Sequence, residues 1–296
     1  MRGIFAAGSA RWMVLGALAV ATAAGAQTAA FAKRADGQMT PLEVYEAVRP
    51  SGAAGCAPLA VISHGAGGSE HQLEYLGRAL SADGYTVVLM GHRESELPAL
   101  RADMRADGFM GGLRALVTDK DAESARLLDV GAALAWADAR CKAPFRVLMG
   151  HSMGAETTML EAGAKNVIGV GTPPAGLDRF DAYVPLSPEG PGPVFPDGAW
   201  VGIRKPVLVL TGTRDQSLAG GPEARTIPWK EMPADVARGC HWMGVISGAT
   251  HMDIGGNGNV AVQAQVVAIV ERFLEGVKAG KCEAPASTAV LKVSAK

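Results

Sequence analysis

Seven short segments of the chain are rich in Val, Leu and Ile and end close to a Gly or a polar residue. Several of them are unbroken apolar runs, which is the pattern of strands that are covered on both faces. The predicted strands are LEVYEAV (42–48), PLAVISH (58–64), YTVVLMG (85–91), FRVLMG (145–150), AYVPLS (182–187), PVLVLTG (206–212) and WMGVIS (242–247).

Longer segments with helical periodicity separate these strands. In LLDVGAALAWADA (127–139), apolar residues recur at roughly the spacing of an α-helix. The predicted helices cover 70–82, 119–140, 152–163 and 259–278. Alternating strands and helices predict an α/β fold with one mostly parallel sheet and helices on both faces. The connections 93–118 and 213–235 are long and irregular, and we expect them to form walls of a site.

Three chemically capable residues follow three of the predicted strands. Ser152 comes after 145–150, Asp215 after 206–212 and His251 after 242–247. Ligands of open parallel sheets bind beyond the carboxyl ends of the strands. The strand pattern therefore places a serine, an aspartate and a histidine on one rim of the sheet.

Ser152 lies in GHSMG (150–154), between a predicted strand and a predicted helix. This is the G-x-S-x-G pattern, in which the glycines make room for a serine nucleophile on a sharp turn. The helix N-terminus that follows favours an anion there. The alternative interpretation is a turn or N-cap serine without chemistry.

His251, in GATHMD, is the candidate base among six histidines, because it follows the last predicted strand and precedes the last long helix. Asp215 is the candidate acid that orients this base. The order Ser152, Asp215, His251 is the order found in α/β-hydrolases. Asp181 and Asp253 are rivals for the acid, and Asp215 could also be a surface residue.

The segment ISHGAGGSE (62–70) supplies a Gly-rich turn after a strand. Backbone N–H groups in such a turn can hold the oxyanion of an acyl-transfer reaction. The N–H of Ala66 is the candidate first donor and that of Met153, directly after Ser152, the second. A plain strand-to-helix connection is the alternative.

Together, SHGAGGS, GHSMGA, PVLVLTGTRD and GATHMD resemble the motifs of secreted bacterial α/β-hydrolases, over roughly residues 40–275. The most similar groups are the dienelactone-hydrolase-like and platelet-activating-factor-acetylhydrolase-like esterases. The resemblance implies the α/β-hydrolase fold with about seven strands, Ser152 as nucleophile, Asp215 as acid, His251 as base, and Ala66 and Met153 as oxyanion donors. Dienelactone hydrolases proper use a cysteine where this chain has Ser152.

The resemblance also bears on the four cysteines. It implies that strands 58–64 and 145–150 are parallel neighbours, which brings Cys56 and Cys141 together near their beginnings. The implied pairs are Cys56–Cys141 and Cys240–Cys282, with four free thiols as the alternative. Such bridges form in oxidising compartments.

The N-terminus has the pattern of a secretory signal peptide, with Arg2 and Arg11 before an apolar run at 13–26. That run is short for a membrane span, which needs about 20 apolar residues. Small residues offer cleavage after 26 or after 32, and an uncleaved anchor is the alternative. We predict a signal peptide (1–26), a flexible mature N-terminus (27–40), an α/β-hydrolase domain (41–280) and a C-terminal tail (281–296), in the periplasm or outside the cell.

Composition narrows the class of function. The chain of 296 residues has a net charge of −1 and no basic stripe, so we expect no nucleic-acid partner. No motif for a metal, a nucleotide or another cofactor is present, and no stable membrane span is expected after signal removal. The sequence predicts a serine hydrolase of small or short-chain carboxylic esters. A thioesterase, amidase or acyltransferase on the same residues is one alternative, and a catalytically dead binding protein is another.

The substrate pocket is the least specific part of the prediction. His64, Trp200 and Trp229 are its main candidates, and further candidate apolar residues are Phe109, Met110, Leu113 and Met232.

Overall fold

The computed structural model describes residues 25–171, 176–177, 179–218, 220–234 and 240–296. The predicted signal peptide lies almost entirely outside these residues. In the described part, one sheet of nine strands forms the centre of the molecule. The strands are β1 (Gln27–Lys33), β2 (Met39–Tyr45), β3 (Leu59–Ser63), β4 (Thr86–Met90), β5 (Arg146–His151), β6 (Ala182–Leu186), β7 (Val207–Arg214), β8 (His241–Thr250) and β9 (Leu291–Ala295).

The spatial order of the strands is β1-β2-β4-β3-β5-β6-β7-β8-β9. The six central strands, from β4 to β8 in this order, are parallel. The outer strands β1, β2 and β9 pair antiparallel. The expectation of an α/β fold with a mostly parallel sheet is confirmed, whereas the expected number of seven strands is wrong.

Seven α-helices connect the described strands. They are α1 (Glu74–Ala82), α2 (Leu97–Val117), α3 (Lys120–Asp138), α4 (Met153–Ala162), α5 (Ile227–Glu231), α6 (His251–Ile254) and α7 (Val260–Ala279). Short 3-10 turns cover Arg93–Ser95 and Pro222–Thr226.

Helices cover both faces of the parallel strands. Within β3, Val61 packs with residues of α3 and α4, such as Leu134 and Leu160. Its neighbours Ala60 and Ile62 belong to the opposite cluster, with residues of α1 and α7. Successive strand residues point to opposite faces, so an unbroken apolar run supplies two cores at once.

Four segments differ from the sequence-based expectation. Residues 27–40, expected to be flexible, contain β1 and the start of β2, and the expected tail 281–296 ends in β9. The segment 93–118, expected to be irregular, is mostly helix α2, which bends at Gly108 with φ of 69°. The segment 213–235 contains the second 3-10 turn and α5.

Both implied disulfides are present. Cys56 and Cys141 lie just before β3 and β5, and their Cα atoms are 5.6 Å apart. Cys240, before β8, bonds to Cys282 in the segment that leads to β9, with a Cα–Cα distance of 5.0 Å. Each bridge therefore joins segments that are adjacent in the sheet but distant along the chain.

Removal of the first bridge tests its contribution. The double variant Cys56→Ser, Cys141→Ser should lower the free energy of unfolding by about 2–4 kcal/mol, because a bridge of such long range strongly restricts the unfolded chain. Urea unfolding of protein made in an oxidising compartment measures this loss. Thiol titration of the unreduced, unfolded wild type is the control, and free thiols in it would contradict the pairing.

Candidate active site

The three predicted catalytic residues lie at the carboxyl ends of neighbouring strands. Ser152 follows β5, Asp215 follows β7 and His251 follows β8, each directly after the last strand residue. β5 and β7 are separated only by β6, and β8 is next to β7. The structure thus brings all three to one rim, as the sequence predicts.

Ser152 lies on a sharp turn between β5 and α4. Its backbone has φ of 56° and ψ of −121°, which is unusual for a residue other than Gly. Two flanking glycines allow this turn. A Cβ on Gly150 would overlap the Gly154 carbonyl oxygen, and a Cβ on Gly154 would overlap that of Ser63. Both glycines of the motif are therefore required by close backbone contacts.

Asp215 and His251 form the hydrogen bond expected of an acid and a base. Nδ1 of His251 lies 2.9 Å from Oδ1 of Asp215. The Asp215 side chain is buried, and its Oδ2 accepts a hydrogen bond from the Thr211 hydroxyl at 2.8 Å. Because Nδ1 donates to Asp215, the other ring nitrogen, Nε2, is free to accept a proton.

The rival aspartates have other roles. Asp253 caps α6 by accepting from the Thr250 N–H and hydroxyl. Asp181 accepts from the Arg146 N–H at the opposite end of β5. Of the three candidates, Asp215 alone bonds to the His251 ring within the described structure.

Arg225 is a partner of Asp215 that the sequence analysis missed. It is buried, and its Nε lies 2.7 Å from Oδ1 of Asp215. Its Nη1 donates to the Ser187 carbonyl at 2.6 Å and lies 3.0 Å from the Glu189 carboxylate. Burial alone would raise the pKa of Asp215, but the hydrogen bond from His251 and the charge of Arg225 hold it below its usual value.

His151 is a second residue near the site that the sequence analysis missed. Its Nε2 donates to the His251 carbonyl at 3.0 Å, and the two ring centroids are 4.4 Å apart. Burial, with a further effect of His251, lowers the pKa of His151 well below its usual range, so the ring is neutral. The hydrogen bond from His151 therefore connects the segment of His251 to the turn that carries Ser152.

The two predicted oxyanion donors are the N–H of Met153, directly after Ser152, and the N–H of Ala66, in a loop that approaches the Ser152 turn. Neither the Ala66 nor the Met153 N–H has a hydrogen-bond acceptor among the described residues. Met153 is the first residue of α4, where an N–H has no partner within the helix. Residues 64–68, here called the oxyanion loop, reach Ser152 closely: a Cβ on Gly65 would lie 3.1 Å from the Ser152 Cβ.

Comparison with known proteins supports the fold. No protein-family model and no curated protein matches the sequence. Among solved structures, Est1E from Butyrivibrio proteoclasticus has a TM-score of 0.55 and 17% sequence identity, over 85% of this chain and 99% of that one. A chain described as a dienelactone hydrolase from Klebsiella pneumoniae has a TM-score of 0.56 and 17% identity, over 86% and 99%.

The chain has the α/β-hydrolase fold. At this level of identity, the similarity establishes the architecture and leaves the chemistry to the residues of the rim.

An open cleft of about 520 Å³ lies beside the oxyanion loop. Its walls include Ala66 to Ser69, the start of α2 at Leu97 and Pro98, and Met252, which follows His251. Leu113 of α2 packs in the small apolar cluster around Met153 and Ala66. Residues of 93–118 therefore line this cleft, whereas no described residue of 213–235 does.

The other predicted pocket residues lie elsewhere. His64 is the first residue of the oxyanion loop, but its side chain is buried and does not line the cleft. Trp200 is fully buried against Phe195. Trp229 donates to the carbonyl of His241, the first residue of β8, and therefore lies at the opposite end of this strand from His251. The place of these tryptophans in connecting segments predicts pocket residues, but Trp200 fills the core and Trp229 packs, half-buried, against it. Of the remaining candidates, Met232 is buried in the core, and Phe109 and Met110 are exposed on α2.

No described helix is long and apolar enough to cross a membrane. Across the same residues, no group of three or more His, Cys, Asp or Glu side chains could hold a metal ion.

The role of Arg225 can be tested by Arg225→Met. The variant leaves the buried Asp215 carboxylate without its arginine, so the free energy of unfolding should fall by about 3–5 kcal/mol. The pKa of Asp215 is lowered in the folded protein, so its carboxylate stabilises the fold at neutral pH, and this contribution is lost as pH falls through the folded-state pKa. The difference in the free energy of unfolding between variant and wild type should therefore become smaller at acidic pH.

Urea unfolding across a pH series measures both effects. Arg272→Met, which removes an exposed pair with Glu275, is the matched control and should change stability by less than about 0.5 kcal/mol. Equal effects of the two variants would contradict the buried ion pair.

Proposed function

We propose that the protein is a serine hydrolase that cleaves carboxylic esters of small or short-chain acyl groups through an acyl-enzyme. The observation that carries this proposal is the arrangement of side chains and backbone N–H groups at the rim of the sheet. The Nδ1–H of His251 donates to the buried carboxylate of Asp215. The same rim carries a serine on a strained turn and two N–H groups that have no acceptor among the described residues. Such an arrangement is the working unit of acyl transfer.

The first half of the reaction forms the acyl-enzyme. His251 Nε2 takes the proton of the Ser152 hydroxyl while Oγ bonds to the ester carbonyl carbon. The N–H groups of Ala66 and Met153 donate to the resulting oxyanion, which is the interaction that strengthens most in the transition state. The tetrahedral intermediate collapses, and the alcohol leaves with the proton from His251.

The second half releases the acid. Water gives a proton to His251 and attacks the acyl carbon, and the same two N–H groups hold the second oxyanion. Collapse returns the proton to Ser152 and frees the carboxylic acid. Asp215 stays ionised throughout and stabilises the His251 imidazolium, which agrees with its lowered pKa.

The cleft supports the choice of small substrates. It is open to solvent and shallow, and backbone of the oxyanion loop forms part of its wall. Leu97 and Met252 supply limited apolar surface at its sides. This suits a short acyl chain better than a long one, which would need a deep apolar pocket.

We also propose that the protein works in the periplasm or outside the cell. The support is the signal-peptide pattern of residues 1–26, together with two disulfides, which persist in oxidising compartments.

The nucleophile is tested with Ser152→Ala. On p-nitrophenyl esters from acetate to palmitate, we expect the wild type to prefer short chains and the variant to lose at least about 10³-fold in kcat/KM. Ser247→Ala, at an exposed serine of β8, is the control and should keep full activity. Labelling by a fluorophosphonate without ester turnover would favour thioester or amide substrates. Neither labelling nor turnover would favour a binding protein.

The acid is tested with Asp215→Asn. Loss of the carboxylate leaves His251 without its orienting acceptor, so kcat should fall by about 10³–10⁴-fold with little change in KM. The control is the rival, Asp253→Asn, which should stay within about threefold of the wild type. A larger loss in Asp253→Asn than in Asp215→Asn would reverse the assignment of the acid.

A further inference from the structure

A second chain of serine, histidine and aspartate lies behind the oxyanion loop. Oγ of Ser63 is 2.8 Å from Nε2 of His92, and Nδ1 of His92 is 2.8 Å from Oδ2 of Asp129. The exposure of these residues is 0%, 0% and 1%. Because no substrate reaches a sealed hydroxyl, this chain is not a second active site, and its role lies in what it holds in place.

Arg126 joins the buried chain to the oxyanion loop. Its Nη1 donates to the Ser63 hydroxyl at 3.1 Å and to the His64 carbonyl at 2.8 Å. Its Nε donates to the Ser95 hydroxyl at 2.9 Å, and the Ser95 carbonyl in turn accepts from the Gly67 N–H. Arg126 is fully buried, so the first residues of the oxyanion loop are attached to the interior of the protein.

The ring of His64 is held in one tautomer. The His92 N–H donates to Nε2 of His64 at 3.1 Å, so the ring proton is on Nδ1. Nδ1 then donates to the Gly65 carbonyl at 2.6 Å. Burial, together with the nearby His92 and Arg126, lowers the pKa of His64 well below its usual range. The neutral ring can therefore accept on one side and donate on the other.

The geometry of one peptide unit connects this ring to the reaction. The Gly65 carbonyl and the Ala66 N–H belong to the same planar peptide, which is trans, so they point in opposite directions. The Gly65 carbonyl is held by the His64 ring and also by the Gly68 N–H at 3.1 Å. A fixed Gly65 carbonyl therefore fixes the direction of the Ala66 N–H. This peptide lies close to Ser152 at the rim.

We propose that His64 and Arg126 are positioning residues of the oxyanion hole. Arg126 fixes the His64 carbonyl, the His64 ring fixes the Gly65 carbonyl, and the Ala66 N–H is thereby aimed at the oxyanion. The inference rests on the serine-hydrolase function proposed above and adds two residues that set its rate without touching substrate.

Two substitutions of His64 separate the two ring nitrogens. The amide N–H of His64→Asn lies near the position of Nδ1 and can still donate to the Gly65 carbonyl. The amide of His64→Gln reaches the position of Nε2, where it can accept from His92, but it leaves the Gly65 carbonyl with the Gly68 N–H as its one remaining donor among the described residues. We expect His64→Gln to lose about 10²-fold in kcat and His64→Asn to lose less than about tenfold, with KM within about threefold in both.

The readout is kcat for a short p-nitrophenyl ester per active site, counted by complete labelling with a fluorophosphonate, so that unfolded protein does not enter the value. Affinity for a trifluoromethyl ketone, whose oxyanion occupies the same site, should fall in proportion to kcat. Arg126→Lys keeps the charge but loses the guanidinium fork, and should lower kcat per site by about tenfold.

Thr40→Val is the matched control. The Thr40 hydroxyl bonds to Asp129 at the far end of the same buried network, and its loss should lower stability while kcat per site stays within about twofold. The proposal is overturned if His64→Gln or Arg126→Lys keeps the wild-type kcat per site. It is also overturned if Thr40→Val lowers kcat per site as much as His64→Gln does. A wild type without turnover and without labelling would instead refute the hydrolase function itself.

Discussion

The contact between the first turn of α4 and the end of β3 is the constraint on which the rest of the rim depends. Gly154 lies so close to the Ser63 and His64 carbonyls that a Cβ there would overlap the first and reach within 2.8 Å of the second. β3 and β5 are parallel neighbours, with Ser63 opposite Gly150. The turn that carries Ser152 and the loop that carries Ala66 therefore start from adjacent points. Any side chain at 154 would separate the two N–H groups that are proposed to bind the oxyanion.

The loops of the rim have backbone carbonyls that no strand N–H reaches. Two buried arginines donate hydrogen bonds to such carbonyls. Arg225 donates to the Ser187 carbonyl beside Asp215, and Arg126 donates to the His64 carbonyl at the oxyanion loop. Burial of a guanidinium costs several kcal/mol unless its charge and its N–H groups are satisfied. Asp215 and Glu189 satisfy the first. Ser63 and Ser95 bond the second, whose Nη2 has no hydrogen-bond partner among the described residues. The same groups that offset this cost also fix the loops, so stability and site geometry are coupled.

The sequence could predict the parts that depend on local chemistry. GHSMG predicts a sharp turn, because its glycines leave room for neighbouring backbone. The Val-rich runs predict strands that are buried on both faces. β1 and β9 could not be found in this way, since QTAAFAK and LKVSA mix apolar residues with polar and small ones, and each is a strand only through its antiparallel neighbour. Arg126 and Arg225 were missed for a related reason. Their partners are set by the packing of distant loops, and a lone arginine in a helix or a turn carries no signal of burial.

The two chains of serine, histidine and aspartate show that residue types alone do not make a nucleophile. In both, a histidine bonds to a buried aspartate through Nδ1. Ser63, however, lies in a regular strand, is sealed from solvent, and has its hydroxyl oxygen occupied by the Arg126 guanidinium. Ser152 has positive φ, partial exposure and no hydroxyl partner among the described residues. In the proposed mechanism, attack on a carbonyl requires a free lone pair at an accessible position. The backbone therefore distinguishes the proposed nucleophile, Ser152, from a serine that only supports the loop.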